Sequence, residues 1–207
     1  MMADSIRNIV FDFGGVLVDW SPEYLFKGVF RDQAEMDHFL ENICNSDWNE
    51  QQDAGRPLSE AISALQQLHP EYRREIRMYY EQWTTMLGGP IEKNVALLKP
   101  LKARFRLFGL TNWSAETFPI ALDLYPFFGE FEGIVVSGEE RLKKPDESIY
   151  RVLLQRYGLN AGECLFIDDN EANARAAMRL GFEVIHLEQG ESLKERLDCL
   201  GISAVLA

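Results

Sequence analysis

The chain has 207 residues, 46% hydrophobic and 26% charged, with 33 acidic against 21 basic residues and a formal charge of −12. That length buries one sizeable core, or a core carrying an insertion. The acidic excess argues against nucleic-acid or anionic-membrane partners, which need clustered Lys and Arg. Three cysteines, Cys44, Cys164 and Cys199, share no C-x-x-C spacing; they rule against a disulfide framework or zinc knuckle and fit a reducing compartment.

Taken in chain order, residues 1–7 lack the charged start and apolar run of a signal peptide, and about eighteen consecutive apolar residues occur nowhere. A cytoplasmic location is therefore expected, with no membrane partner. The first apolar run, 8–13, predicts a buried strand ending in Asp12-Phe13-Gly14-Gly15-Val16. From about Val18 to Gly88 no strand is expected, only helical segments. Tyr72, Ile76, Tyr79, Tyr80, Trp83 and Leu87 recur at three- and four-residue steps and predict one helix face that packs a small bundle. Ala61, Ile62, Leu65 and Leu68 form a second face, and Pro57, Pro70 and Gly88-Gly89-Pro90 supply breaks.

Strands then alternate with helices. Apolar runs at 105–110, 133–136, 164–167 and, more briefly, 183–187 are separated or followed by helical patterns at 114–124, 146–157, 171–180 and 192–200. This reads as an α/β protein, a doubly wound parallel sheet with an all-helical insertion after its first strand.

Ligands of open α/β sheets bind at the carboxyl ends of the strands. Those ends here carry Asp12, Thr111-Asn112-Trp113, Lys143-Lys144-Pro145 and Asp168-Asp169-Asn170, with Asn173 one turn further on. Carboxylates converging from two strands repel unless a cation lies between them, and oxygen-only ligands favour Mg²⁺ over Zn²⁺. A carboxylate, Mg²⁺, a lysine and a hydroxyl together suit phosphoryl transfer. Each fragment alone reads as a cap, a turn or a solvated loop; their joint occurrence, in order and each after a strand, is what carries the reading.

Asp12–Val16, Thr111, Lys144 and Asp168-Asp169 resemble the four motifs of the haloacid dehalogenase-like hydrolases, and the helical insertion resembles that family's cap of the first type. The motifs are most similar to those of a sugar-phosphate phosphatase branch. The resemblance implies a Rossmann-type core over 1–17 and 90–207, with a cap over 18–89. It implies a Mg²⁺-dependent phosphatase acting on a small phosphorylated metabolite, a sugar phosphate among the candidates, as a monomer or small homo-oligomer. Asp12 would be the nucleophile, forming an aspartyl-phosphate and also holding Mg²⁺. The Gly14 carbonyl and Asp169 would be further metal ligands, with Asp168 acting through water. Thr111 and the Asn112 amide would bind phosphoryl oxygens, Lys144 would neutralise them and hold Asp12, and Asn173 would orient the acidic pair.

One position departs from the pattern. Two residues after the nucleophile the family usually has Asp, the general acid; this chain has Gly14. The expectation is a steep dependence of rate on leaving-group acidity, since nothing places Asp19 as a substitute. Two other readings compete: a metal-independent 2-haloacid dehalogenase, and a catalytically weak binding or regulatory protein. The Asp168-Asp169 pair argues against the first, and the intact nucleophile, Lys144 and acidic pair against the second. Trp113, Trp20 and Trp48 are candidates for the substrate entrance, with hinge or core packing favoured for Trp20. Arg56 or Glu50, near a turn in the insertion, could select the substrate. His38, His69 and His186 are dispersed, and no G-x-S-x-G elbow, P-loop or G-x-G-x-x-G occurs.

Overall fold

The computed structural model describes residues 5–202. In chain order its strands are β1 (Asn8–Phe11), β2 (Val18–Trp20), β3 (Leu87–Pro90), β4 (Arg106–Thr111), β5 (Gly133–Val136), β6 (Cys164–Asp168) and β7 (Glu183–His186). Five of them form a parallel sheet in the order β5-β4-β1-β6-β7. In its register Phe11 lies beside Gly109 of β4 and Ile167 of β6. Every residue of β1 and β6 is buried, because helices cover both faces of the sheet. Ile9, Phe11, Leu107, Leu165 and Ile167 join one apolar cluster, while Val10, Phe108, Leu110 and Phe166 join the other, as the two-residue period of a strand requires.

The flanking helices end close to where their sequence signals stand. Glu147–Tyr157 starts at Asp146, whose side chain accepts from the Ser148 amide, and stops at Gly158 in the left-handed conformation. The helix expected from 114 begins only at Phe118, with proline in its first turn, because Ser114 folds back to accept the Glu116 amide at 3.2 Å. The chain fills one side of β1 with β4 and β5, then crosses to β6 and β7 on the other. The carboxyl ends of β1 and β6 therefore flank the topological switch point, where open α/β sheets place their ligands.

Between β1 and β4 lies the insertion, with α-helices at Gln33–Asn42, Ser46–Asp53, Leu58–Leu68 and Arg73–Glu81. The expectation of no strand from Val18 to Gly88 is corrected. β2 and β3 pair antiparallel, Val18 opposite Pro90 and Asp19 opposite Gly89, with an irregularity between Asp19 and Trp20. This ribbon lies where the chain leaves the sheet and returns to it. The single aromatic helix face is also corrected. The helix stops at Glu81, Tyr72 and Trp83 lie in separate 3-10 turns, and Leu87 starts β3. Packing within the insertion centres on Phe26, whose ring lies 4.9 Å from Phe39 and 6.0 Å from Tyr79. Phe13, Val16, Leu17 and Val18 belong to the same buried cluster, joining these helices to one face of the sheet.

Candidate active site

Parallel strands ending side by side bring Asp12, Asp168 and Asp169 together, with carboxylate oxygens within 4.8 Å of one another. Lys144, 1% exposed, stands between two of them, its Nζ 2.9 Å from Asp12 Oδ1 and 2.6 Å from Asp168 Oδ2. Asp168 also accepts from Asn173 Nδ2 at 3.1 and 3.2 Å and from the Asn170 amide at 2.8 Å. Its oxygens are thus occupied by the protein, whereas Asp169 is exposed to the cleft. Gly15 has φ +69°, and a Cβ there would lie 2.1 Å from Asp169 Oδ2, so only glycine lets that carboxylate rest against the backbone. Gly14 differs: its φ is not left-handed, and a Cβ would meet none of the described residues within 4 Å.

Lys144 is fixed from the neighbouring strand end. Asn112 Nδ2 donates to the Lys144 carbonyl at 2.9 Å, and Asn112 Oδ1 accepts the Lys144 amide at 2.8 Å. The Asn112 side chain is spent on this clasp, so a phosphoryl contact from this residue falls to its main-chain N–H. Thr111 is buried, and its hydroxyl has no hydrogen-bond partner among the described residues. A buried polar atom in that condition calls for a partner, which a bound ligand can supply.

Burial raises the Asp12 carboxyl to about 7, with Asp168 and Asp169 adding to the rise and Lys144 opposing it. Burial, then Asp168, raises Asp169 as well. For Lys144, burial works to lower the pKa, but Asp12 and Asp168 outweigh it and hold the ammonium above its ordinary value. With all three carboxyls ionised, as above the raised Asp12 value, one ammonium leaves two negative charges uncompensated. An all-oxygen donor set of that charge fits a hard divalent cation.

Two cavities of about 280 and 310 Å³ open over these residues. The first is lined by Gly14, Gly15, Asn112 and Asp169 of the sheet edge, by Trp113, Ser114 and Thr117 beyond β4, and by Trp20, Asn49, Asp53, Tyr80 and Trp83 from the insertion side. The second includes Asp12, Asp169, Trp20, Asn49, Glu50 and Asp53. Trp113 thus lines the cleft, its indole N–H donating to Thr117 Oγ1 at 3.1 Å. Trp20 packs against the apolar core at the end of β2, as hinge or core packing expects, and also lines both cavities. Trp48 does not; it is buried edge-on against Tyr79 at 5.2 Å. Glu50 faces the second cavity and pairs with Lys143, while Arg56 turns to Gln51 at 3.1 Å and Glu60 at 3.5 Å. Asp19 accepts from the Tyr24 hydroxyl at 2.8 Å and lines neither cavity.

Asn49 and Asp53 are the residues that sequence reasoning missed. Their signal is a four-residue spacing that puts both on one face of the helix Ser46–Asp53. That face meets the sheet edge because Ser137 Oγ donates to the Asp53 carbonyl at 2.5 Å while accepting the Trp113 amide at 2.9 Å. The Leu58 amide donating to Glu116 Oε1 at 2.8 Å ties down the next turn.

A profile of the haloacid dehalogenase-like hydrolases matches residues 6–181. Sesquiterpene phosphatase astK of Aspergillus oryzae is 29% identical over 90% of this chain and 92% of its own length. D-ribitol-5-phosphate phosphatase of Bacteroides thetaiotaomicron is 23% identical over 93% of this chain and 97% of its own. Among solved structures, the HAD family enzyme bt-2542 of Bacteroides thetaiotaomicron, in a magnesium complex, matches with a TM-score of 0.75 and 20% identity. That match covers 93% of this chain and 98% of the other.

Proposed function

The chain belongs to the haloacid dehalogenase-like hydrolases, and from that premise we propose that it is a Mg²⁺-dependent phosphatase, cytoplasmic, hydrolysing a small phosphorylated metabolite through Asp12. One observation carries the reading: the Lys144 ammonium bonded to both Asp12 and Asp168, with Asp169 completing a triad that is two charges short of neutral. A nucleophilic carboxylate, a fixed cation and a divalent site are what attack on a phosphate dianion requires. The phosphatase names of two relatives spanning nearly the whole chain point the same way.

Asp12, Asp169 and the Gly14 carbonyl would hold Mg²⁺, with Asp168 behind them fixing Lys144. When bound, the ion supplies charge neutralisation to the phosphoryl oxygens. Lys144 keeps Asp12 oriented and favours its ionised form. Thr111 Oγ1 and the Asn112 N–H donate to phosphoryl oxygens. Asp12 attacks phosphorus, the bond to the leaving oxygen breaks, and an aspartyl-phosphate forms. Water then attacks phosphorus and releases phosphate and the Asp12 carboxylate. Residues 18–89 act as a cap over this chemistry, excluding water and contacting the organic part of the substrate.

The expected substrate class includes sugar phosphates. The aromatic wall of Trp20, Tyr80, Trp83 and Trp113 favours a second class, phosphate esters with an apolar body, in keeping with the relative named for a sesquiterpene. The test is a panel of sugar phosphates and prenyl phosphates assayed for phosphate release with Mg²⁺ and with excess chelator. Metal-dependent release from either class supports the reading. Full activity in chelator, or chloride release from 2-chloropropionate, overturns it in favour of the dehalogenase.

A further inference from the structure

Expulsion of an alkoxide is the difficult part of phosphate ester cleavage, and a positioned acid contributes about 10²- to 10⁴-fold by protonating the leaving oxygen. Gly14 cannot do this. The acidic residues that line the cavities are Asp12, Glu50, Asp53 and Asp169. Asp12 and Asp169 belong to the nucleophile and cation cluster, and Glu50 is paired with Lys143. Asp53 remains.

Asp53 lines both cavities, together with Gly14, Trp20 and Asn112 in one and with Asp12 and Asp169 in the other. It is the last residue of its helix, and its carbonyl is held by Ser137 Oγ at 2.5 Å, which fixes it relative to the sheet edge. Its carboxyl is held by a directed chain of hydrogen bonds. Gln52 Nε2 donates to the Tyr80 hydroxyl at 3.2 Å, Tyr80 donates to Asn49 Oδ1 at 2.9 Å, and Asn49 Nδ2 donates to Asp53 Oδ2 at 3.1 Å. Each of these three bonds donates in the direction of Asp53, while Gln52 Nε2 also donates to the Trp48 carbonyl. The chain gives Oδ2 one donor, and the Ser114 amide is a second donor to the carboxyl. Burial raises this carboxyl to about 7, with Glu50 and more weakly Asp12 adding to the rise, and Lys143 and the Ser114 amide opposing it. The charged groups around it are Glu50 on its own helix, Lys143 and Arg141 after β5, and Asp12 and Asp169 at the sheet edge.

We propose that Asp53 is the general acid of this site, supplying the leaving oxygen with the proton that Gly14 cannot, an inference that rests on the phosphatase reading. As the Asp12 oxygen bonds to phosphorus and the ester P–O bond breaks, the Asp53 proton passes to the leaving oxygen, so an alcohol departs and Asp53 becomes a carboxylate. That carboxylate takes a proton from the water that attacks the aspartyl-phosphate. Phosphate and the Asp12 carboxylate are released, and Asp53 is again an acid. The acid belongs to the inserted segment and the nucleophile to the sheet, so the site is complete only with the insertion docked. The leaving-group dependence expected from Gly14 is then shallow in the wild type.

The test uses the full chain with Mg²⁺ and two esters, p-nitrophenyl phosphate and hexyl phosphate. Asp53→Asn keeps the shape and an acceptor for Asn49. It should lose about 10²- to 10⁴-fold in kcat on the hexyl ester and under tenfold on the aryl ester, whose leaving group needs no proton. The fall of the hexyl-ester rate as pH rises through about 7 should disappear with it. Asp53→Asn/Gly14→Asp should recover hexyl-ester turnover at least tenfold, because the space at Gly14 is open. Equal loss on both esters, or no loss on either, by a variant with wild-type thermal stability overturns the proposal. A wild type that hydrolyses neither these esters nor the phosphate panel refutes the phosphatase reading itself, and this proposal with it.

Discussion

Asp12→Asn should abolish turnover and, at the same time, stabilise the metal-free protein. Asp12 is 8% exposed, and burial, reinforced by Asp168 and Asp169 against Lys144, raises its carboxyl from an ordinary 3.8 to about 7. Between those values the folded chain holds a proton that the unfolded chain has released. The contribution of this group to stability is therefore full below 3.8, falls as pH rises to about 7, and is constant above. Roughly three pH units at about 1.4 kcal/mol each amount to about 4 kcal/mol lost at pH 8, and about 2 kcal/mol at pH 5. Asn has nearly the same shape and cannot ionise, so the variant should be more stable by those amounts in urea denaturation with chelator present. Mg²⁺ should narrow or reverse the ranking, because a ligand that binds only the folded state stabilises it by RT ln(1 + [L]/Kd), and the variant has lost a charged donor. A variant no more stable than the wild type at pH 8 in chelator would show that Lys144 fully compensates Asp12, and the charge argument for a divalent cation would fail with it.

Asp169→Ala removes the exposed carboxylate of the triad and should raise the Mg²⁺ concentration for half-maximal activity at least tenfold, read by metal titration of phosphate release. Gly15→Ala places a Cβ 2.1 Å from Asp169 Oδ2 at φ +69°. It should destabilise the fold by about 1–3 kcal/mol and weaken the Mg²⁺ response, checked by denaturation and the same titration. Trp20→Ala strips an aromatic face from both cavities and should raise KM about tenfold for a prenyl phosphate, with kcat nearly unchanged. An unchanged KM would remove the aromatic wall from the argument about substrate.

Much of the sheet could be read from the chain because its strands are buried on both faces, where parallel strands appear as short unbroken apolar runs. The run 133–136 matches β5 residue for residue; β1, β6 and β7 differ from their runs by one or two residues at the carboxyl end, and β4 is displaced by one residue. Asp12, Thr111 and Asp168 could be found because each sits at or just after a strand end, where local sequence alone sets position. β2 and β3 left no such trace. Each has three or four residues, and β3 contains Gly88-Gly89-Pro90, which reads as a turn. Their pairing joins Val18 to Pro90 across the whole insertion. The aromatic residues of the insertion misled for a related reason. Spacing from Tyr72 to Leu87 suits one helix, but 3-10 turns at Pro70–Tyr72 and Trp83–Met86 break it. Tyr80 and Trp83 thereby line the cleft.

Asn49 and Asp53 were illegible for a deeper reason. Their helix, Ser46–Asp53, is mostly polar, so no apolar stripe announces which side faces inward. Its orientation is set instead by contacts from distant chain: Ser137 to the Asp53 carbonyl across 84 residues, and Lys143 to Glu50 across 93. A sequence motif records chemistry only when the backbone that carries it is locally determined. Asp12, Asp168 and Asp169 meet that condition, because adjacent strand ends hold them. A group on a docked helix does not, and its role emerges only from the docking. The bare Gly14 and the protected Asp53 can therefore be understood only together: a proton donor absent from the strand end is one that the inserted helix can supply, across a gap that Gly14 leaves open.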